Sequence, residues 1–347
     1  MDRAAGTLAL PFARDALPTP TGRWVFLNAV ADQTLAMLFA DAELVCEQPE
    51  RPAFLALERA GLAVAPAIDD APAGRFDGAM VLLGRHRRLN EARIARAARL
   101  VRAGAPVLVA GDKMVGAASA RKWVKGRLDV SGALSKHHAQ LFWFAAEAAA
   151  FEDVVLARTE PAPGMAAAPG MFSADGIDAG SVLLARSIDA RVTGTVADLG
   201  AGWGFLTARV LQAGRPSALT LVEAYKPALE AALENVEPLA GAVPVTGLWR
   251  DVTAEPVPGP FDWIVMNPPF HTGRAGEPEL GRRFIEAAAD ALAPRGRLLM
   301  VANRQLPYER TLAERFADVR THAEADGYKV IEAGGVRRGA ETGRRRR

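Results

Sequence analysis

The sequence holds one cysteine, Cys46, so an intrachain disulfide and a thiolate metal cluster are both excluded. That usage fits a reducing cytoplasm. No apolar run is long enough to span a bilayer. Met1 to Pro20 lacks the charged start and long apolar core of a secretory leader. Neither sign of charge dominates over most of the chain. The net charge is +2, but Val336 to Arg347 carries six arginines against Glu341, a local +5, so the remainder carries −3. This Gly/Arg-rich tail reads as disordered, either a phosphate-attracting arm or a solubilising terminus.

What is present is ordinary for a globular protein: half the residues are hydrophobic, 24% are charged, and 347 residues suffice for about two domains. In the first half, strands are expected at Arg23–Leu27, Glu43–Glu47, Arg75–Leu83 and Gly104–Gly111, with helices at Pro52–Ala60 and Asn90–Ala103. A linker is expected at Met165–Gly170, flanked by prolines. The second half repeats the alternation more clearly, with strands at Thr195–Gly200, Ala218–Glu223, Val243–Leu248, Phe261–Met266 and Gly296–Asn303. Helices are expected at Trp203–Ala213, Pro227–Asn235, Pro278–Ala293 and Tyr308–Phe316. A closing pair, Val319–Ala325 and Tyr328–Ala333, turns at Asp326-Gly327. Strand–helix alternation of this kind builds a parallel α/β sheet.

The halves look duplicated. Gly74-Arg75-Phe76-Asp77 resembles Gly259-Pro260-Phe261-Asp262, and Val45-Cys46-Glu47 resembles Leu221-Val222-Glu223. Convergence of short α/β patterns is the other reading of these matches.

Two motifs of the second half carry chemistry. Asp198-Leu199-Gly200-Ala201-Gly202-Trp203-Gly204 lies between a strand and a helix, where glycines let backbone approach a ligand. Phe205 stands where the dinucleotide fingerprint needs a third glycine, and no Gly-Lys-Ser/Thr follows, so neither a dinucleotide nor a P-loop site is indicated. A ligand with a positive centre and a carboxylate fits better: Asp198 could engage its ammonium group, Glu223 both hydroxyls of a ribose, and Asp251 an adenine amine. The second motif is Asn267-Pro268-Pro269-Phe270. Proline cannot donate to a sheet and holds its predecessor extended, so the strand ends in a rigid loop at its C-terminal edge. A conjugated NH2 group is a poor nucleophile. Asn267 Oδ1 and the Pro268 carbonyl could each accept one of its hydrogens and aim its lone pair, while Phe270 stacks on the planar group. In the first half, Leu82-Leu83-Gly84-Arg85 replaces this motif and no such glycine loop precedes Glu47.

This combination resembles the class I S-adenosylmethionine-dependent methyltransferases, and Asn-Pro-Pro-Phe resembles their amino-methylating branch. Pro169-Gly170-Met171-Phe172-Ser173, Asp178 to Leu184, Asn267 to Gly273 and Val301 to Tyr308 are similar to segments of the bacterial small-subunit ribosomal RNA guanine-N2 methyltransferases. The match covers Pro169 to Ala333 well. It is fainter in the first half, through Gly111 to Gly116 and Ser135 to His138. Departures are the Arg-rich tail, the alanine-rich composition and the bulky Trp203.

The resemblance implies two tandem Rossmann-like methyltransferase domains, each a seven-stranded mixed sheet with helices on both faces. The first (1–160) would be degenerate, with an RNA-binding or folding role, the second (161–335) catalytic, and 336–347 a disordered tail. It implies S-adenosylmethionine as cofactor, held by Phe172, Asp178, Asp198, Gly200, Gly202, Gly204, Glu223, Asp251 and Asn267. Asn267, Pro268, Pro269 and Phe270 would be catalytic, acting on a guanine flipped out of ribosomal RNA. The expected partner is ribosomal RNA of the small subunit (16S), with a cytoplasmic monomer and no metal or membrane. His271 is the weaker candidate for a base, because a methylated, cationic amine loses its proton readily. Arg85-His86-Arg87-Arg88 and Arg121-Lys122, with Lys125, Arg127, Lys136 and His137, are candidate RNA contacts or plain solvated faces.

Alternative targets for the same loop are large-subunit (23S) RNA guanine, DNA adenine and protein glutamine. A non-catalytic ribosome assembly factor is the alternative of another class. The intact Asp198, Glu223 and Asn267 argue against decay.

Overall fold

The computed structural model describes residues 4–136, 138–269 and 278–337. The chain divides into two compact units, Met1–Arg158 with Ala168–Gly170 and Thr159–Ala167 with Met171–Arg347.

The first unit contains β1 (Arg23–Leu27), β2 (Glu43–Glu47), β3 (Ala63–Ala65), β4 (Gly78–Leu82), β5 (Pro106–Asp112), β6 (Gly132–Lys136) and β7 (Ala139–Ala145). They form one sheet in the order β3-β2-β1-β4-β5-β7-β6, with β1 to β5 parallel and β7 antiparallel to both neighbours. Helices α1 (Leu10–Ala13), α2 (Gln33–Leu38), α3 (Arg51–Arg59), α4 (Arg87–Leu100) and α5 (Ala117–Lys125) belong to the same unit. Successive strand residues point to opposite faces. Accordingly Val25, Leu27, Val81 and Val109 pack with Ile94 and Ala98 of α4, whereas Phe26, Met80, Leu82 and Leu108 pack with Leu35 of α2 and Leu57 of α3. Both faces are buried, which is why these strands read as continuous apolar runs.

The second unit begins with a hairpin of β8 (Thr159–Ala162) and β9 (Met165–Ala167). Its main sheet comprises β10 (Thr193–Leu199), β11 (Arg215–Glu223), β12 (Val245–Trp249), β13 (Phe261–Met266), β14 (Leu292–Asn303), β15 (Phe316–Ala325) and β16 (Tyr328–Val336). Their order, β12-β11-β10-β13-β14-β16-β15, repeats that of the first sheet strand for strand. Helices α6 (Ala179–Ser187), α7 (Phe205–Ala213), α8 (Lys226–Ala240), α9 (Pro278–Ala291) and α10 (Glu309–Arg315) complete it. Again the faces alternate: Leu199, Ile264, Met266 and Met300 pack with Phe284 and Ile285 of α9, and Val196, Val265, Leu299 and Val301 with Leu184 of α6 and Val210 of α7.

The same device starts the pairing of the two central strands in each sheet. Arg23 N donates to Asp77 Oδ2 at 2.6 Å, and Thr195 N to Asp262 Oδ2 at 2.9 Å. The preceding residues, Gly22 and Gly194, have φ of +69° and +76°, and a Cβ on either would meet that carboxylate at 2.0 and 2.2 Å. Glycine is required at both by conformation and by space.

Several sequence expectations are corrected. The expected linker Met165–Gly170 contains β9, because Pro163-Gly164, with Gly164 at φ +71°, forms a hairpin turn rather than a linker. Asn235 fastens that hairpin: its Oδ1 accepts from Ala166 N and its Nδ2 donates to Ala166 O, both at 2.8 Å. Helix α8 continues through Pro238 to Ala240 rather than ending at Asn235. Val336, assigned to the tail, is the last residue of β16 and pairs with Phe316; the rest of the expected disordered tail from residue 338 lies outside the described residues. Sequence patterning does not mark β6 and β7.

Candidate active site

A cavity opens at the C-terminal ends of β10 and β13, bounded by Phe172, Asp178, Ser181, the glycine loop and Asn267. This is the edge at which parallel α/β sheets place their ligands.

The glycine loop follows β10. Gly200, Gly202 and Gly204 have φ of +77°, +55° and +91°, a left-handed series that ends where α7 begins. A Cβ on Gly202 would meet nothing within 4 Å, whereas one on Gly204 would lie 3.1 Å from Ala232 Cα of α8. The first position therefore keeps backbone bare beside open space, and the last lets two helices approach. Gly200 N and Ala201 N donate to Val222 O, and Gly202 N donates to Glu223 Oε2 at 2.8 Å.

Trp203, a departure by its bulk, is nearly fully buried and acts as a brace. Its indole N–H donates to Phe172 O at 3.0 Å, and its own carbonyl accepts from Asn235 Nδ2 at 2.8 Å. Phe172 itself is 57% exposed, so its ring is a wall of the cavity and not a core side chain.

Of the four expected acids, Asp178 lines the cavity, whereas Asp198, Glu223 and Asp251 occupy different environments and do not line it directly. Asp198 is fully buried behind the loop. Its Oδ2 accepts from Thr207 Oγ1 at 2.7 Å, and Oδ1 has no partner. Burial pushes its carboxyl up to about 7, with a smaller push from the nearby Glu223 carboxylate. Glu223 ends β11, partly buried, with Oε1 accepting from Tyr225 N at 2.8 Å as well as Oε2 from Gly202. Burial raises its pKa too. Each of its oxygens can still accept a second hydrogen bond. Asp251 follows β12 and serves a turn: Oδ1 accepts from Thr253 N at 2.9 Å and Thr253 Oγ1 at 2.7 Å.

Asn267, Pro268 and Pro269 follow β13 without regular structure, and Pro268 is buried. Asn267 Nδ2 donates to Asp178 Oδ2 at 2.9 Å and to Ser181 Oγ at 2.8 Å. Asp178 also caps α6, accepting from Ser181 N at 2.8 Å. Phe270 and His271 lie outside the described residues. Among the described residues no cluster of three or more His, Cys, Asp or Glu could hold a metal ion.

Ser181, Thr207, Trp203 and Asn235 escaped sequence reasoning as site residues. Only Ser181 had a local signal, since Asp-x-x-Ser at positions 178 to 181 has the spacing of a helix cap.

The first sheet shows the same edge without the chemistry. Asn28 follows β1 as Gly200 follows β10. It shares the left-handed conformation, φ +58°, but its Nδ2 donates back to Leu82 O at 2.9 Å. Glu47 ends β2 as Glu223 ends β11, yet both its oxygens bind Arg96 Nη1, at 2.6 and 2.7 Å. The same guanidinium also pairs with Asp70. Ile68 N also donates to Oε2, at 2.7 Å, so this carboxylate is neutralised and engaged from within its own unit.

S-adenosylmethionine fits the second sheet's edge on three observations: bare backbone at Gly202, acceptor capacity at Glu223, and an unpartnered buried oxygen on Asp198. The last is costly unless a donor or cation approaches it.

Comparison with known proteins agrees in kind. The family described as methyltransferase small domain matches residues 164–332. A ribosomal RNA small subunit methyltransferase C of Sodalis glossinidius is 32% identical over 264 residues, 70% of each chain. That of Klebsiella pneumoniae is 36% identical over 164 residues, 47% of this chain and 46% of its own, so the chain spans about half the length of that relative. Among solved structures, the T. thermophilus 16S rRNA N2 G1207 methyltransferase (RsmC), in complex with AdoMet and guanosine, superposes with a TM-score of 0.77. It shares 27% identity and covers 96% of this chain and 92% of its own.

Proposed function

Since the chain belongs to the ribosomal RNA small subunit methyltransferase C family, we propose that it transfers the methyl group of S-adenosylmethionine to the exocyclic N2 amine of a guanine in 16S ribosomal RNA. The observation that carries this reading is the Asn267 side chain at the end of β13, its amide nitrogen engaged by Asp178 and Ser181 at the rim of the cavity.

When bound, S-adenosylmethionine supplies an electrophilic methyl group on a sulfonium centre. The glycine loop and Glu223 would hold it, with Asp198 acting on its ammonium group from behind the loop. Asn267 Oδ1 and the Pro268 carbonyl accept the two hydrogens of the guanine amine and turn its lone pair towards the cavity. Phe172 lines the same cavity. The methylated amine is a strong acid and releases its proton to water, so no side chain needs to serve as a strong base. No covalent enzyme intermediate forms.

The target lies within the small subunit or its RNA. Among the described residues no helix is long and apolar enough to cross a membrane. With the single cysteine, this supports action in the cytoplasm, where ribosomal RNA is assembled.

The test is tritiated methyl transfer from S-adenosylmethionine to small subunits from cells lacking the protein, followed by nucleoside analysis. Labelled N2-methylguanosine is expected. Label only in large-subunit RNA, DNA or protein would move the target. No label anywhere, with cofactor bound, would overturn the reading in favour of an assembly factor.

A further inference from the structure

Resting on the proposed reaction, we infer that Ser181 and Asp178 lock the Asn267 amide in one orientation, so that the site presents a lone hydrogen-bond acceptor and selects a target that carries N–H hydrogens. Ser181 is the positioning residue that completes the lock.

A carboxamide has two faces of nearly identical shape, an oxygen that accepts and an NH2 that donates, and its surroundings decide which is which. Here both hydrogens of Asn267 Nδ2 are engaged, by Asp178 Oδ2 at 2.9 Å and Ser181 Oγ at 2.8 Å. Rotating the amide by half a turn would set Oδ1 against a carboxylate oxygen, which has no hydrogen to offer when ionised, so Asp178 sets the polarity, while the Ser181 hydroxyl, which can accept or donate, supplies the second anchor. The acceptors are themselves fixed. Asp178 Oδ2 holds Ser181 N at 2.8 Å in the first turn of α6, and Leu184 of that helix is fully buried against the sheet. On the other side Asn267 follows a buried strand and precedes buried Pro268. The amide is thus held from a helix and a strand 86 residues apart in sequence.

The consequence is chemical selection. With its nitrogen fully committed, Asn267 offers a target only Oδ1. An exocyclic amine donates to that oxygen, whereas a carbonyl or a deprotonated ring nitrogen is repelled by it. Guanine carries both kinds of group on one ring, and the lock would admit the N2 edge and refuse O6.

The polarity can be reversed deliberately. Asn267→Asp puts carboxylate against carboxylate and should lower kcat more than a hundredfold. Ser181→Ala removes one of the two anchors; it should lower kcat about three- to tenfold, the loss of one modest hydrogen bond. Its dissociation constant for S-adenosylmethionine should stay within twofold, and its melting temperature should stay near the wild-type value. A readout independent of turnover is hydrogen exchange of the Asn267 side-chain NH2, followed by NMR: exchange in Ser181→Ala should be at least tenfold faster than in the wild type. Equal exchange rates, or an Asn267→Asp variant within tenfold of the wild-type kcat, would overturn the lock. Failure of the proposed function looks different, because the wild type would then label no guanine while its Asn267 amide stayed protected.

Discussion

Glu223 holds the glycine loop in place: its Oε2 accepts from Gly202 N at 2.8 Å while its Oε1 accepts from Tyr225 N at the same distance. One carboxylate therefore fixes the loop at which the cofactor is proposed to bind and offers its remaining acceptor sites to the cofactor's ribose. Glu223→Gln replaces one acceptor oxygen by an NH2 that must face a backbone N–H. Leaving such a donor unsatisfied costs about 1–3 kcal/mol. The dissociation constant for S-adenosylmethionine, measured by calorimetry, should rise roughly tenfold to a hundredfold with the fold retained.

Asp198 should make stability depend on pH in an unusual direction. Its carboxyl is raised from 3.8 to about 7 by burial, so the folded protein keeps a proton that the unfolded chain has already released. The contribution is fully present below about pH 4 and is lost as pH rises towards 7, a fall on the order of 4 kcal/mol at about 1.4 kcal/mol per unit. Urea unfolding of the wild type and Asp198→Asn at pH 5, 6, 7 and 8 isolates it: the wild type should lose stability relative to the variant up to pH 7 and run parallel above. A cationic ammonium beside Oδ1 favours the ionised form, so cofactor affinity should rise with pH over the same window.

Asn267→Ala removes the acceptor proposed to orient the amine and leaves Glu223 and the glycine loop untouched. Methyl transfer should fall at least a thousandfold while the calorimetric affinity for S-adenosylmethionine changes less than threefold. Equal loss of both would assign the loop to cofactor binding.

Asn235 ties three backbone groups together, Ala166 N, Ala166 O and Trp203 O, each at 2.8 Å, and is 8% exposed. Asn235→Ala strands these groups in a buried place and should cost about 2–4 kcal/mol in urea unfolding. Because Trp203 braces Phe172, the same variant should also weaken cofactor binding severalfold.

The parts of this protein that were legible in the sequence are those whose signals are local. Phe261–Met266 is an uninterrupted apolar run ended by prolines, and it is a strand over those residues. Asp326-Gly327, with φ of +51° and +82°, turns β15 into β16 as an Asp-Gly pair should. The shared topology of the two sheets showed itself through short aligned segments, because strand starts and ends carry compact signatures. What stayed hidden depends on distant partners. Nothing near Asn267 announces that its amide is held by residues from α6. Nothing near Trp203 announces that its indole N–H serves Phe172. Glu47 and Glu223 look alike at their strand ends, and only the side chain each meets, Arg96 or a loop amide, separates a closed edge from an open one.

The two sheets differ at one edge and agree at the other. Gly22 with Asp77 and Gly194 with Asp262 repeat the same contact where the central strands begin, while Asn28 and Leu82 replace Gly200 and Asn267 where they end. The chain therefore carries its own control experiment. The first sheet lacks the site's residues, and what it shares with the second points to what this topology needs in order to fold. A residue pair intolerant of change in both sheets belongs to the architecture. A pair intolerant only in the second belongs to the reaction, and one protein suffices to tell them apart.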